Sequence, residues 1–487
     1  MNMSKVVVLG AGIAGHTAAS VLRKGLGKEH EVVVVSPNSN YQWIPSNIWV
    51  GVDRMKSEQV IFPLAPLYKR KNIQYKQALA TAFFPEGSAS EPMPHIGIKY
   101  VAGALAGTED VETYDYLINA TGPKLNFEAT PGLQPGTNRT YSVCTYGHAT
   151  EASEAFLKVV ERMKKGAHLR ILIGTGHAKS TCQGAAFEYI LNIESELRRH
   201  KVREQATLTW ISNEPTLGDF GVDGGLFNVY GKAMTNDQLV AQLFEERDIK
   251  YIIRAGVNKV EDGVAHYETL DGTFGKEEYD FGMLIPAFSG HGFQAYDAQG
   301  ENITSKLFNG FMLVDADYTP KPFEQWSVKD WPETYQNPSY DNIFAPGIAF
   351  APPHTISKPA TSPNGTDIFP APPRTGMPSG VSAKVVADNI IHMINHQTKE
   401  LKHKASMGNM GAACVASAGF GLTKGRAVTM TMYPIVPDYE KYPDTKGRDF
   451  KNTVGEYGLA GHWIKYVLHF MFIYKAKMRP FWWLIPE

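Results

Sequence analysis

The chain alternates between short, wholly apolar runs and stretches with helical spacing. Residues 5 to 36 read as KVVVLG, then AGIAGHTAASVLRKGLG, then HEVVVVS. Uninterrupted apolar strands flanking an amphipathic helix predict a βαβ unit in a buried parallel sheet. HLRILIGTGHAKSTCQGAAFEY (168–189) repeats the strand, turn and helix, predicting a second α/β unit. TYDYLINATGPKLN (113–126) reads as a strand ending in an Ala-Thr-Gly turn, and SYDNIFAPGIAF (339–350) as a strand followed by a glycine turn. Residues 320–380, rich in Pro, Ser and Thr, lose all periodicity and predict an irregular surface insertion.

The last segment, HWIKYVLHFMFIYKAKMRPFWWLIPE (462–487), differs from everything before it. Its apolar run from Trp463 to Tyr474 is broken by Lys465 and His469, well short of the roughly 20 residues that span a bilayer. The pattern predicts a segment lying in the membrane interface, with Phe481, Trp482, Trp483, Leu484 and Ile485 as an apolar anchor. Lys475, Lys477 and Arg479 are expected to face anionic headgroups.

With 487 residues the chain can bury two or three cores, and 48 basic against 49 acidic residues leave a net charge of -1. That balance gives no basic face for nucleic acid. The first residues, MNMSKVVVLGAG, enter a strand directly and carry no secretory leader pattern. Three cysteines, Cys144, Cys182 and Cys414, are too few for a disulfide framework and lack the paired spacing of a zinc site, so no metal is expected. Redox or nucleophilic chemistry is left to them.

The turn after the first strand is Gly10-Ala11-Gly12-Ile13-Ala14-Gly15, the spacing by which backbone amides and a helix N-terminus hold a pyrophosphate. The next strand ends in Ser36-Pro37-Asn38 where an acid ordinarily meets the ribose. Ala120-Thr121-Gly122 and the turn at Gly347 fit the returns to the first nucleotide-binding domain in flavoproteins with two dinucleotide-binding domains, which makes the expected cofactor FAD. The second turn keeps Gly174 and Gly176 but has Lys179 for the third glycine, and its following strand ends in Ser212-Asn213. That domain is expected to have the fold without NAD(P)H. MGNMGAACVASAG (407–419) is expected to be a loop of small residues that brings Cys414 close to the flavin and to Cys182, a pair able to exchange electrons with a sulfur nucleophile.

These segments together resemble sulfide:quinone oxidoreductase, a flavoprotein of the disulfide reductase superfamily, along nearly the whole chain. The resemblance is carried by GAGIAG, SPNSNYQWIPSNIWVGV (36–52), SVCTYGHA, STCQGAAFEY, NIFAPGIAFAPP, PRTGMPSG (373–380) and MGAACVASAG. It implies that Cys182 and Cys414 form the redox pair, bridged by sulfur during turnover, with Cys414 beside flavin C4a. Cys144 matches a third cysteine of variable role. His148 and Glu188 match residues proposed to move protons, Gln42 falls in a cofactor-binding motif, and Lys465 matches a lysine at the flavin pyrimidine edge. Asp219 stands where several members have a histidine. The expected partners are sulfide, a membrane quinone (ubiquinone or menaquinone) reached along Trp463, Tyr466 and Phe470, a bilayer surface and further copies of the chain. The expected place is the prokaryotic inner membrane, as a monotopic protein.

The fold class is α/β, with two Rossmann-like domains and a C-terminal membrane-associating region. The expected boundaries are 1–122 (FAD domain), 123–290 (second domain, with Cys144 and Cys182), 291–400 (return to the FAD domain) and 401–487 (with Cys414). A type II NADH:quinone oxidoreductase shares such a fold but needs an intact second fingerprint. A flavocytochrome c sulfide dehydrogenase shares the cysteine pair but is exported, and a non-catalytic FAD protein has no use for three such cysteine contexts.

Overall fold

A computed structural model describes residues 3–373, 376–419 and 422–487. Arg374 and Thr375 of the 373–380 motif lie outside the described residues.

Lys5–Leu9 and Glu31–Val35 lie side by side, parallel and buried, in a sheet ordered Ile343–Phe344, Tyr116–Asn119, Lys5–Leu9, Glu31–Val35, Gln74–Lys76. The Val-rich runs are covered on both faces, which is why they carry no polar alternation. Helix α1 (Ile13–Gly25) starts directly after the glycine turn. Gly10 has φ +92°, and a Cβ there would lie 2.3 Å from the Ala120 carbonyl oxygen, so only glycine lets the two strand ends approach. Helix α2 (Leu64–Arg70) packs at the far edge of this sheet.

A second parallel sheet is ordered Thr140–Tyr141, Phe281–Ile285, Leu169–Thr175, Ala206–Ile211, Ile249–Ile252. Helix α3 (Tyr146–Lys164) and helix α4 (Gln183–Arg199) cover it. Helix α5 (Gly376–His396) returns the chain to the first unit and packs along α1. The α/β class with two such sheets is as the apolar runs indicate.

The third sheet is new. Ala412–Ser417 is an edge strand, antiparallel to Ala427–Met432, which pairs in turn with Val454–Gly458. The expected small-residue loop around Cys414 is therefore a strand. Its small side chains let it lie against α4, where a Cβ at Gly184 would come within 3.3 Å of Cys414 Sγ. Helix α6 (Leu459–Ala476) follows the third sheet. No described helix is long and apolar enough to cross a membrane.

Candidate functional site

The first glycine turn leaves room for a ligand. A Cβ at Gly12 would meet nothing within 4 Å, and the α1 N-terminus has no side-chain cap on its amides. Nearby, Gln42 keeps a buried amide nitrogen with no hydrogen-bond partner. Ser36 is buried at the end of its strand, and Gly122 (φ +71°) also opens onto free space. Gly347 (φ +73°) closes the base, where a Cβ would lie 2.8 Å from that of Ala14. Open glycines, unpaired helix amides and an orphaned buried amide fit a dinucleotide.

The second turn is filled by the chain itself. A Cβ at Gly176 would sit 2.7 Å from the Leu133 side chain. Residues 362–372 of the Pro-rich segment dock onto the same turn: Phe369 N–H donates to Ala178 O (3.1 Å), Ala371 N–H to Ser180 O (3.2 Å), and Thr181 Oγ1 to Pro372 O (2.9 Å). Asn213, at the strand end where a ribose ligand belongs, donates instead to Ala178, Ser180 and Phe369 carbonyls. Lys179 is paired with Asp367 at 2.7 Å. The expected surface insertion is irregular in backbone but occupies the crevice at the carboxyl end of the second sheet, the place where a nicotinamide dinucleotide binds in this topology.

The cysteines lie on three elements that meet at the start of α4. Cys182 is the N-cap of α4, in left-handed backbone conformation (φ +64°) and without a side-chain cap. That conformation costs a β-carbon-bearing residue on the order of 1 kcal/mol, and the helix dipole favours negative charge there. Cys144 precedes α3, its amide donating to Ser142 Oγ at 3.1 Å. Burial pushes the Cys144 thiol up to about 11, offset by the Ser142 hydrogen bond and reinforced by the neighbouring Cys182. Burial likewise pushes Cys414 up to about 11, with Glu188 raising it further and Lys465 pulling it down. Cys144 and Cys414 carry free thiols.

His148 lies in the first turn of α3, its amide capped by Thr145 Oγ1 at 3.1 Å and its ring edge-on to Phe127. Its Nδ1 is buried without a partner, and burial holds its pKa below the usual histidine value against the pull of Glu151. Glu188, in the second turn of α4, is buried. It accepts from Ser417 Oγ (2.6 Å) and Ser417 N (3.1 Å) and forms an ion pair with Lys465, which also donates to Val415 O at 2.9 Å. Trp49 Nε1 donates to the same Ser417 hydroxyl at 2.8 Å. The Lys465 ammonium, expected at the cofactor edge, is thus committed to Glu188 and to the strand bearing Cys414. Sequence reasoning missed Ser417 and Trp49, because their link is made only when the third sheet forms.

Asp219 is buried behind the same region, accepting from Ser357 Oγ (2.5 Å) and Gly221 N (2.9 Å). Burial raises it to about 7, and raises the nearby Glu214 to about 8. Both pKa values lie above those of the unfolded chain, so unfolding releases protons and stability falls as pH rises from the unfolded carboxyl range toward about 8. Asp219→Asn should flatten that slope, lessening the difference in unfolding midpoint between about pH 5.5 and about pH 8. An unchanged slope would refute this assignment.

On α6, Trp463, Tyr466 and Phe470 are exposed, with Tyr466 and Phe470 edge to face at 5.0 Å. Phe481, Trp483 and Leu484 extend this apolar surface, while Trp482 is buried. Lys475 does not face outward as expected: it is buried, paired with Glu487 at 2.7 Å and hydrogen-bonded to the Ile485 and Pro486 carbonyls. An apolar helix end can retain such a lysine only by pairing it.

A curated sulfide-quinone reductase of Aquifex aeolicus (strain VF5) is 26% identical to the chain over 472 residues, covering 97% of this chain and 91% of that protein. The X-ray structure of the sulfide:quinone oxidoreductase of Aquifex aeolicus superposes with a TM-score of 0.71 at 25% identity, again covering 97% and 91%. Over nearly its whole length the chain is similar to sulfide:quinone oxidoreductase. The resemblance drawn from the motifs, the two-sheet α/β class and the oxidoreductase reading are borne out, and flavin is the part of the cofactor reading these relatives carry. An NADH oxidase of Streptococcus pneumoniae is 25% identical over 70% of this chain and 67% of that protein. NDH2 of Plasmodium falciparum in complex with NADH shares the fold, with a TM-score of 0.58 at 14% identity over 88% and 90% of the two chains. No protein-family model matches.

Proposed function

We propose that the chain oxidises sulfide at Cys182 and Cys414, with FAD as cofactor and a membrane quinone as final acceptor, at the surface of a prokaryotic inner membrane. The observation that carries this reading is the seating of the Cys414 strand against Gly184, two residues past Cys182, beside the Glu188–Lys465 pair.

Hydrosulfide attacks an oxidised Cys182–Cys414 bridge. The bridge S–S bond breaks, a new S–S bond forms to the incoming sulfur, and one cysteine becomes a persulfide while the other leaves as a thiolate. In this reading Glu188 and His148 take the sulfide proton. A proton on Glu188 removes the negative charge that raises Cys414, so proton uptake there eases formation of the Cys414 thiolate. Gly10, Gly12, Gly15, Ser36, Gln42, Gly122 and Gly347 would hold FAD, which supplies the two-electron acceptor between thiol and quinone. Repeated attack lengthens the bound chain until polysulfide or sulfur leaves. The exposed aromatic face of α6 supports delivery of a lipid-soluble quinone.

The NADH reading requires an open second crevice, and the docked 362–372 segment argues against it. The test is an anaerobic titration of the purified, detergent-solubilised holoenzyme. Sulfide should bleach the flavin absorbance, a short-chain quinone should restore it, and NADH should do nothing. Bleaching by NADH but not by sulfide would overturn the proposal.

A further inference from the structure

Beyond the α6 helix the chain turns back across α2, and the two elements enclose a surface groove of about 580 Å³. Four cations line it, Arg70 and Lys71 from the first domain and Lys477 and Arg479 from the C-terminal segment, over an apolar floor that includes Phe62 and Leu67. The lining contains no carboxylate, and none of the four takes part in an ion pair among the described residues. Lys477 lies over the Phe62 ring at 5.6 Å and Arg479 over Tyr474 at 5.5 Å. Burial, with repulsion from Arg479, depresses Lys477 below the usual lysine range. An arrangement that raises the energy of its own cations invites an external anion.

The groove adjoins the exposed apolar residues Phe481 and Leu484, which are 65% and 71% exposed. Lys24 lies over the Trp483 ring at 4.8 Å and continues the basic rim. A ligand that satisfies both surfaces carries a negative charge at one end and hydrocarbon at the other.

We propose that this groove is a binding site for the phosphate headgroup of an anionic phospholipid, held jointly by α2 of the first domain and the chain after α6. The proposal rests on the membrane reading above and adds a defined headgroup site to it. The apolar foot supplies depth of insertion, while the groove clamps the C-terminal segment to the nucleotide-binding domain when the protein is on a bilayer. A neutral quinone would gain nothing from four cations, so the groove is distinct from the acceptor's approach along α6.

The test is sedimentation of the holoenzyme with vesicles of phosphatidylcholine alone and with about 30% phosphatidylglycerol added. Three proteins are compared: the wild type, Arg70→Gln/Lys71→Gln, and Lys69→Gln/Lys250→Gln, which removes the same charge outside the groove. The wild type should prefer the anionic vesicles, and the groove variant should lose affinity for them by about 30-fold, with binding to neutral vesicles unchanged. The control variant should lose only a few-fold. Equal losses in both variants would make the attraction diffuse and overturn the site. Equal wild-type affinity for both vesicles would overturn the site while leaving the apolar foot intact, and binding to neither would overturn the membrane reading itself. Displacement from anionic vesicles by low-millimolar inorganic phosphate at constant ionic strength would assign the groove to a soluble anion and overturn the lipid proposal.

Discussion

Cys182→Ser is expected to abolish sulfide-dependent flavin bleaching, lowering its rate by about a thousandfold or more, while the protein retains its flavin. Serine has nearly the size of cysteine, and its hydroxyl caps a helix N-terminus well, so the α4 start that lacks a side-chain cap should be no less stable. What serine cannot do is form the S–S bond through which the proposed reaction admits sulfide. The backbone at φ +64° provides a control that separates chemistry from architecture. Cys182→Gly relieves the left-handed conformation and should match or exceed the wild-type unfolding midpoint while remaining equally inactive toward sulfide. Retention of more than about a tenth of the wild-type rate by either variant would remove Cys182 from the reacting pair.

The parts legible in the sequence are those fixed by neighbours in the chain. Val6 to Leu9 and Val32 to Val35 declare a buried parallel sheet because every position is apolar, and Gly10 declares the turn because its backbone conformation and its approach to Ala120 exclude a side chain. Lys179 and Asn213 mark the second turn as altered, but they do not disclose what packs against it. Segment 362–372 fills that crevice through hydrogen bonds between residues nearly two hundred positions apart, which no periodicity encodes.

Cys414 gives the same lesson at closer range. A run of Gly and Ala reads locally as a loop, since small residues have low strand propensity. Its strand conformation comes from pairing with Ala427–Met432 and from the close approach of α4, and only small residues permit that approach. The inward turn of Lys475 has a related cause. Its spacing beside Lys477 and Arg479 matches an interfacial basic cluster, yet Glu487, after the turn that follows α6, draws it inward.

Lys465→Met is expected to destabilise the protein by about 3–5 kcal/mol, because it strands the Glu188 carboxylate in a buried site. The two side chains are only 11% and 8% exposed. Ser417 supplies two hydrogen bonds to Glu188 but no charge. Glu188→Gln added to Lys465→Met should recover most of the loss, since a neutral amide still accepts from Ser417, giving a coupling energy on the order of 2 kcal/mol in a double-mutant cycle of denaturation midpoints. Additive single effects would show that the pair is not the source of the cost. A second readout distinguishes a working electrostatic pair from a structural one. Lys465 lowers the Cys414 pKa and Glu188 raises it, so the pH midpoint for alkylation of Cys414, followed peptide by peptide, should move up in Lys465→Met and down in Glu188→Gln. A packing role alone moves both variants together through loosened structure, whereas opposite shifts require that the carboxylate and the ammonium act on the same sulfur.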